Sequence, residues 1–371
     1  MSGEIAIHAV TRGALAVAAR LAAALPGAEL HVSERIAAAA PPGARPFPLP
    51  MKEAVERSFH AHRGHVFVVA IGAVVRMVAP LLRGKGEDPA VVCVDEAGRF
   101  AVAVLSGHRG GANTLAVRVA EALGAQPVVT TASDVRGTLA VDLLGAEHGW
   151  ILEDPRGNAR RASAAVVNGA PVVVVQEAGP DGWWPEDRPL PANVCVGATC
   201  DDPAVAAAEA VLLVTDRALA PDDPILSRAV LYRPRTIWLG VGCDRGAPAD
   251  LAIRGAEATL AAAGLAAGSV AGIASIDLKA DEDALRALAR RFRCGLRFFA
   301  APSLDAVHGI ERPSARVARL VGTRGVAEPA ALLASGADRL LVPKQVYTEP
   351  GAGRSLTFAV ARVAPGGGAR A

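Results

Sequence analysis

The segment FAVAVLSGHRGGANTLAVRVAEAL, residues 100–123, contains the pattern that decides the fold. Its first six residues are apolar and typical of a strand, the residues Ser106–Asn113 are polar and rich in glycine, and from Thr114 apolar residues recur at helical spacing. Strand, loop and helix in this order form the repeating unit of α/β proteins. Ligands of such proteins commonly bind in the loop that follows a strand. The segment therefore predicts an α/β fold with a binding site at Ser106–Asn113.

Length and composition extend this prediction to the whole chain. A chain of 371 residues exceeds the size at which one hydrophobic core stops growing, so we expect more than one domain. Hydrophobic residues make up 51% but aromatic residues only 4%, which favours helices packed on mostly parallel sheets of small apolar side chains. We predict two larger α/β domains, residues 1–135 and 235–363, that flank a smaller α/β middle domain, residues 136–234. Residues 364–371 should form a disordered tail.

Several local patterns make predictions that a structure can check. The apolar runs Pro89–Asp95 and Phe100–Leu105, separated by a turn at Gly98, predict a hairpin. The segment Thr138–His148 predicts a helix, and Arg339–Val342 predicts a strand. The last domain should follow a strand–helix–strand–helix–strand order from residue 236 onward.

Charge and cysteine usage exclude several classes of protein. The formal net charge of +2 is too balanced to indicate a nucleic-acid partner. The 5 cysteines are odd in number and scattered without CxxC spacing, which argues against a disulfide scaffold and for a reducing cytoplasm. No apolar stretch approaches the roughly 20 residues that a membrane span needs, and residues 1–10 do not resemble a secretory signal. We therefore expect a cytoplasmic protein with neither a nucleic-acid nor a membrane partner.

Nine sequence blocks indicate a family. The blocks of the first domain are Gly72–Arg76, Lys85–Val91, Val94–Gly98, Leu105–Asn113 and Thr130–Asp134. The blocks of the last domain are Ile237–Gly246, Ile276–Glu282, Val326–Ala331 and Val342–Lys344. In this order and spacing they resemble the CbiG family of cobalamin biosynthesis, the cobalt-precorrin-5A hydrolases. Residues 136–234 resemble the family only in length and placement, and Arg109 and Arg136 depart from its pattern without removing a candidate catalytic group.

The resemblance implies a particular chemistry. Water opens a lactone on a cobalt-bound macrocycle, and the bridging carbon then leaves with its methyl group as acetaldehyde. The first step needs a general base and donors for the oxyanion, and the second step needs a base again. The resemblance implies no organic cofactor, because cobalt arrives within the substrate. We also expect no metal site of the protein's own, since the sequence shows no clustered His, Cys and carboxylate ligands.

Three residues are candidates for catalysis. His108 is the best candidate for the base, because imidazole titrates near neutral pH and the glycines beside it let backbone amides approach an oxyanion. Its alternative role is to cap the following helix or to hydrogen-bond a carbonyl group. Asp88 could orient His108 or the water, or could simply form a turn before Pro89. Ser106 begins the same loop and completes the set.

Candidates for substrate binding fall into two groups. Arg76 and Lys85 could bind the carboxylates of the macrocycle, although a solvated surface charge is the usual role of such residues. In the first domain we add Gly107, Gly110, Gly111, Asn113, Thr130, Thr131 and Asp134. In the last domain we add Gly242, Cys243, Arg245, Glu328 and Lys344.

The glycine-rich run Gly240–Gly246 needs separate treatment. It lies between a strand and a helix, but its spacing is one residue too long for a dinucleotide fingerprint. The helix start could still bind a carboxylate of the substrate. Cys243 in this run is either a reactive thiol or, more in keeping with its apolar context, a buried structural cysteine.

Two other functions remain open. A non-catalytic protein that binds or channels tetrapyrroles for neighbouring enzymes of the pathway would need only the binding residues. A nucleotide-dependent enzyme is the weaker alternative, because the sequence contains neither GxxxxGK[ST] nor a correctly spaced GxGxxG.

Overall fold

The computed structural model describes residues 4–84, 87–108, 110–131, 138–351 and 353–363. These residues form three mostly parallel sheets with helices on their faces, so the predicted multi-domain α/β fold is confirmed. The chain divides into two compact units, Met1–Leu143 and Leu144–Ala371, and the second unit contains two of the sheets. The domain boundaries drawn from the sequence stay predictions, and residues 364–371 lie outside the described residues. No helix in the described part of the chain is long and apolar enough to cross a membrane.

The first unit is built on a seven-stranded sheet with the order β3-β2-β1-β4-β5-β6-β7. Strands β1 to β5 run parallel to one another, whereas β6 pairs antiparallel with β5, and β7 is parallel to β6. The strands are β1 Ile5–Ala9, β2 Glu29–Ser33, β3 Arg45–Phe47, β4 Gly64–Val68, β5 Ala90–Val94, β6 Phe100–Leu105 and β7 Gln126–Val128.

The reversal at β6 decides which loops meet. The predicted hairpin is confirmed, since β5 and β6 pair antiparallel through the turn at Gly98. The carboxyl ends of β6 and β7 therefore lie at the edge of the sheet where β1 to β5 begin. We call this side the amino edge of the sheet, and the opposite side, where β1 to β5 end, the carboxyl edge.

Helices cover both faces of this sheet. On one face α1 (Arg12–Ala24) and α4 (Ala112–Leu123) pack on alternate residues of the central strands. On the other face α2 (Met51–Ser58) and α3 (Ile71–Val78) pack on a cluster that includes Phe67. Thr11 caps α1, because its side chain accepts a hydrogen bond from the amide of Ala14.

The second unit begins with a five-stranded sheet of order β10-β9-β11-β12-β8, in which only the β12–β8 pair is antiparallel. Valine fills its centre: Val172, Val173, Val174 and Val175 are all buried. The elements are β8 Ile151–Glu153, α5 Ala159–Asn168, β9 Val172–Gln176, β10 Val194–Gly197, α6 Pro203–Ala207, β11 Ala210–Val214 and β12 Ala229–Arg233.

The last sheet has the order β15-β14-β13-β17-β16. The predicted alternation is confirmed, since β13, β14 and β15 are parallel and two helices connect them. The elements are β13 Ile237–Cys243, α7 Ala249–Ala262, β14 Val270–Ile276, α8 Asp283–Phe292, β15 Gly295–Phe299, α9 Ala301–Asp305, α10 Ala315–Val321, α11 Ala327–Ser335, β16 Val342–Thr348 and β17 Ser355–Arg362.

Two local predictions are wrong. Residues 138–148 do not form the predicted helix but a series of turns that ends in the 3-10 helix Ala146–His148. Gly145 has a φ of +68°, and a side chain there would overlap Trp150, so the indole fixes the turn. The strand predicted at Arg339–Val342 begins only at Val342 and continues to Thr348. This edge strand has a sequence of mixed polarity, so its position follows from antiparallel pairing with β17 and not from an apolar run.

Candidate active site

The loop after β6 is held in a tight conformation by its own backbone. Ser106 has a φ of +58°, which is rare for a residue other than glycine. The amides of Ala112 and Asn113 donate to the carbonyl oxygens of Ser106 and Gly107, each at 3.0 Å. A side chain on Gly110 would lie 2.8 Å from the Ser106 oxygen, so only glycine fits there. These amides stabilise the loop and are not available to a bound oxyanion.

His108 lies in this loop and pairs with a carboxylate that the sequence did not suggest. Its Nδ1 atom is 2.9 Å from Oδ1 and 3.1 Å from Oδ2 of Asp142. The His108 side chain is 17% exposed and that of Asp142 is 34% exposed, so the pair is accessible to a ligand. A carboxylate that accepts a hydrogen bond from Nδ1 fixes the ring and its tautomer, which leaves the lone pair on Nε2. This is the arrangement of a general base with a positioning residue.

The Asp88 carboxylate hydrogen-bonds to backbone amides of its own turn, and its role in orienting His108 or the water stays a prediction. Its Oδ1 atom accepts a hydrogen bond from the amide of Arg83 at 2.8 Å, and its Oδ2 atom accepts one from the amide of Gly84 at 3.1 Å. The carboxylate therefore closes the turn before β5, which was the alternative prediction. The backbone of Asp88 meets the loop, because its carbonyl oxygen accepts a hydrogen bond from Ser106 Oγ at 2.9 Å.

Other candidates of the first unit are divided between the two edges of the sheet. Asn113 Nδ2 donates to Thr131 Oγ1 at 2.9 Å, and Thr130 precedes Thr131 after β7, so these residues join the loop at the amino edge. Arg76 lies on α3, which follows β4 at the carboxyl edge, and its exposed guanidinium donates to the Gly72 carbonyl oxygen at 3.1 Å. The structure does not bring Arg76 to His108. The candidates Lys85 and Asp134, and the departures Arg109 and Arg136, lie outside the described residues.

The glycines after β13 allow close packing. A side chain on Gly240 would overlap the carbonyl oxygen of Ala327, because α11 crosses directly over the strand. A side chain on Gly242 would lie 2.5 Å from Thr357 Oγ1 on β17. The glycine-rich spacing that superficially suggested a nucleotide site therefore has a packing reason.

Cys243 ends β13, and Arg245 follows it in the next loop. Burial raises the pKa of the Cys243 thiol to about 11, which makes it unreactive at neutral pH and favours the structural alternative. Arg245 is exposed, and its guanidinium donates to Asp281 at 3.0 Å. Its contact with substrate stays a prediction.

Glu328 is almost completely buried at the start of α11, with 2% exposure. One carboxylate oxygen accepts hydrogen bonds from the amides of Glu311 and Arg312, each at 3.0 Å, and the other accepts one from the amide of Lys344 at 2.9 Å. The Lys344 ammonium group in turn donates to the Arg312 carbonyl oxygen. These contacts tie a loop to an edge strand, and binding of substrate by Glu328 and Lys344 stays a prediction.

A histidine-rich cluster lies at the amino edge of the sheet, where the sequence predicted no grouped metal ligands. Glu29, His31 and His62 bring one possible ligand atom each to within 4.8 Å of one another, a grouping that the sequence analysis did not predict. The signal was present in the pattern Glu29-Leu30-His31, since alternate residues of a strand point to the same face. His62 joins them only through the pairing of β1 with both β2 and β4.

Sequence comparison covers most of the chain. Residues 53–134 match the family model described as Cobalamin synthesis G N-terminal, and residues 237–361 match Cobalamin synthesis G C-terminus. Residues 139–234, which suggested the family only by length and placement, match Cobalamin biosynthesis central region.

Curated relatives agree with these matches. A cobalt-precorrin-5A hydrolase of Priestia megaterium is 41% identical over 77% of this chain and 76% of its own length. A cobalt-precorrin-5A hydrolase of Salmonella typhimurium is 31% identical over 90% of this chain and 92% of its own length. A solved structure of a cobalamin biosynthesis protein G homologue from Sulfolobus solfataricus covers 98% of this chain and 99% of its own, with 19% identity and a TM-score of 0.37. The three matched regions and the two hydrolases show that the chain belongs to the cobalamin synthesis G (CbiG) family.

Proposed function

We propose that the protein is a cobalt-precorrin-5A hydrolase, which opens the ring lactone and releases acetaldehyde to give cobalt-precorrin-5B. The names of two relatives that match along most of their length support the activity. The observation that supports the placement of the active site is the His108–Asp142 pair, with its 2.9 Å contact in a loop that glycines hold at the amino edge of the sheet. His108 acts as the base, and Asp142 acts as the positioning residue.

The first step is hydrolysis of the lactone. His108 Nε2 takes a proton from water as the water oxygen attacks the lactone carbonyl carbon. Asp142 accepts the Nδ1 hydrogen bond and stabilises the imidazolium that forms. The tetrahedral intermediate then collapses, the bond between the acyl carbon and the ring oxygen breaks, and the imidazolium returns the proton to the departing oxygen. The products of this step are a carboxylic acid and an alcohol.

The second step removes two carbon atoms. His108, neutral again, takes the proton of the new alcohol, the oxygen forms a carbonyl double bond, and the carbon–carbon bond to the macrocycle breaks. Its electron pair passes into the electron-poor macrocycle, and acetaldehyde leaves. One base serves both steps because the first step returns the imidazole to its neutral form.

The remaining parts of the proposal concern binding and context. Cobalt enters and leaves within the substrate, and the reaction needs no organic cofactor. Asn113 and Thr131, which hydrogen-bond beside His108, offer polar contacts to the carboxylate side chains of the macrocycle. The protein acts in the cytoplasm, where neighbouring enzymes of the pathway supply and remove labile intermediates.

The test measures acetaldehyde released from cobalt-precorrin-5A by the purified chain and by matched variants. His108→Gln should lower kcat by about 10² to 10⁴-fold, the usual contribution of a general base. Asp142→Asn should lower kcat by up to about 100-fold with little change in KM, because it misplaces the ring. His308→Gln and Asp222→Asn replace exposed residues of the second unit and should leave both constants unchanged.

A second readout separates positioning by Asp142 from a merely structural role. Removal of a negative charge beside an imidazole disfavours its protonated form. The acidic limb of the kcat profile should therefore move to lower pH in Asp142→Asn. Wild-type turnover in His108→Gln would overturn the site assignment. Tight substrate binding by the wild-type chain without any acetaldehyde would instead support a binding or channelling protein.

A further inference from the structure

One face of the first sheet carries a second group of titratable side chains, which the proposed hydrolysis does not use. His8 on β1, His31 and Glu29 on β2, and His65 on β4 all project from one face of the sheet, because the pairing aligns His8 with His31 and Ala6 with both Glu29 and His65. His62 approaches from the segment just before β4. Four imidazoles and one carboxylate therefore share a small region beside a hydrophobic core.

Glu29 places one oxygen between two imidazoles. Its Oε2 atom is 3.4 Å from His31 Nε2 and 3.2 Å from His62 Nε2, while Arg45 donates to the other oxygen, Oε1, at 3.0 Å. Ligands at about 2.0–2.2 Å from a tetrahedral zinc ion lie roughly 3.3–3.6 Å apart. The two separations from Glu29 Oε2, 3.4 Å to His31 and 3.2 Å to His62, are close to this range.

The second ring nitrogen of His62 is also committed. His62 Nδ1 lies 3.2 Å from the Ser58 carbonyl oxygen, which can only accept a hydrogen bond. Nδ1 is therefore the nitrogen that donates to the backbone, and Nε2, 3.2 Å from Glu29 Oε2, is the nitrogen that faces the carboxylate. A metal ion between these two atoms would take the place of a proton on Nε2. A backbone carbonyl that fixes the far nitrogen is the usual outer partner of a metal-binding histidine.

His31 supplies an independent observation. Its Nε2 atom is buried and makes no hydrogen bond to any residue that the structure describes, although it is aimed at the same carboxylate. Buried polar atoms without a partner are rare in folded proteins, and an ion is one of their ordinary explanations.

The histidines behind the site fix one another. His65 Nε2 donates to the Phe59 carbonyl oxygen at 2.9 Å, so His65 Nδ1 accepts from His8 Nε2 at 3.0 Å. This chain leaves His8 Nδ1 buried with no donor among the described residues. The hydrogen bonds orient the two rings that lie behind the site.

We propose that Glu29, His31 and His62 bind one divalent transition-metal ion of the Zn²⁺ or Co²⁺ kind. Two imidazoles and a carboxylate suit such an ion better than Mg²⁺ or Ca²⁺, which prefer oxygen ligands. Three protein ligands leave at least one coordination position for water. The ion joins β2 to the segment that enters β4, and so holds the amino edge of the sheet together. The family model that matches the first unit begins at residue 53, so it does not include Glu29 and His31.

The test uses the untagged full-length chain after treatment with a chelator. Titration with ZnCl₂, followed by calorimetry and by elemental analysis after dialysis, should give one ion per chain. Co²⁺ should bind at the same site with the intense visible absorption of a tetrahedral ion. His31→Gln and His62→Gln should each weaken binding by at least about 100-fold, because each removes one of only three ligands.

The matched control is His60→Gln. His60 is exposed and lies two residues from His62. Its Nε2 atom is 3.0 Å from the Leu81 carbonyl oxygen. The His60→Gln variant should therefore bind the metal ion as tightly as the wild type does. Circular dichroism of every variant checks that the fold is retained. A wild-type chain that binds neither Zn²⁺ nor Co²⁺ at millimolar concentration would overturn the proposal. Equal binding by His31→Gln, His62→Gln and the wild type would overturn it as well, since the ion would then occupy another site.

Discussion

The buried carboxylate of Glu328 gives a prediction that separates a structural role from a substrate contact. Glu328→Gln keeps the size of the side chain but provides a single acceptor oxygen for three backbone amides. The new NH₂ group must face at least one amide donor, and the other two amides lose a charged acceptor. A hydrogen bond to a charged group contributes about 1.5–3 kcal/mol, and less where water reaches the donor, as it does at the exposed Glu311 and Arg312. We expect the free energy of unfolding to fall by about 2 kcal/mol.

The assay is urea unfolding followed by tryptophan fluorescence. All 4 tryptophans lie in the second unit, and Trp238 packs against Ala330 and Ala334 of the helix that carries Glu328, so the signal reports on this region. If the free energy of unfolding falls by about 2 kcal/mol per molar urea, the urea concentration at the midpoint should decrease by about 1 M. Glu311→Gln changes an exposed neighbour and should move it by less than about 0.25 M. Unchanged stability together with a raised KM in Glu328→Gln would refute the structural argument and favour the substrate contact.

Three further predictions concern the reactivity of a thiol, the packing of a glycine and the binding of substrate. Cys243, whose pKa is raised to about 11, should resist iodoacetamide at pH 7.5, whereas the exposed Cys195 should react. The rate of alkylation of Cys243 should rise about tenfold per pH unit up to pH 10, because the thiolate is the reactive form. Mass spectrometry of peptides measures both rates. Gly240→Ala should destabilise the second unit by at least about 2 kcal/mol in the urea assay because α11 lies against the strand, whereas Gly295→Ala, with open space beside it, should change stability by less than 1 kcal/mol. Arg76→Ala should change KM for cobalt-precorrin-5A by less than twofold, because Arg76 lies at the carboxyl edge; a tenfold increase in KM would place the substrate there instead.

The sequence predicted the architecture well where the pattern was local. Apolar runs identified β5, β6 and the strand–helix alternation from β13 to β15, and the glycine turn at Gly98 correctly indicated the hairpin of β5 and β6. The same pattern could not show what the hairpin does to the site. Because β6 runs opposite to β5, polar residues that follow strands come to lie at two different edges. The candidate residues of the first domain are therefore divided between these two edges.

The partner of His108 was beyond the reach of sequence patterns. Asp142 is 34 positions away along the chain, within a segment whose composition predicted a helix. Turns fixed by Gly145 and Trp150 replace that helix, and a contact that depends on tertiary packing leaves no periodic signal. Asp88 shows the opposite case, since an aspartate before a proline has an ordinary turn-forming role that was correctly held open.

The reversal at β6 also has a practical consequence for how the protein is purified. Strand β1 begins with Ile5 at the amino edge of the sheet, the edge that also carries the His108 loop and the Glu29–His31–His62 cluster. A polyhistidine tag fused ahead of this strand would add imidazoles close to both groups. It would compete for added metal ions, and it would crowd the proposed active site. A cleavable tag without histidine keeps measurements of metal stoichiometry and turnover free of this interference.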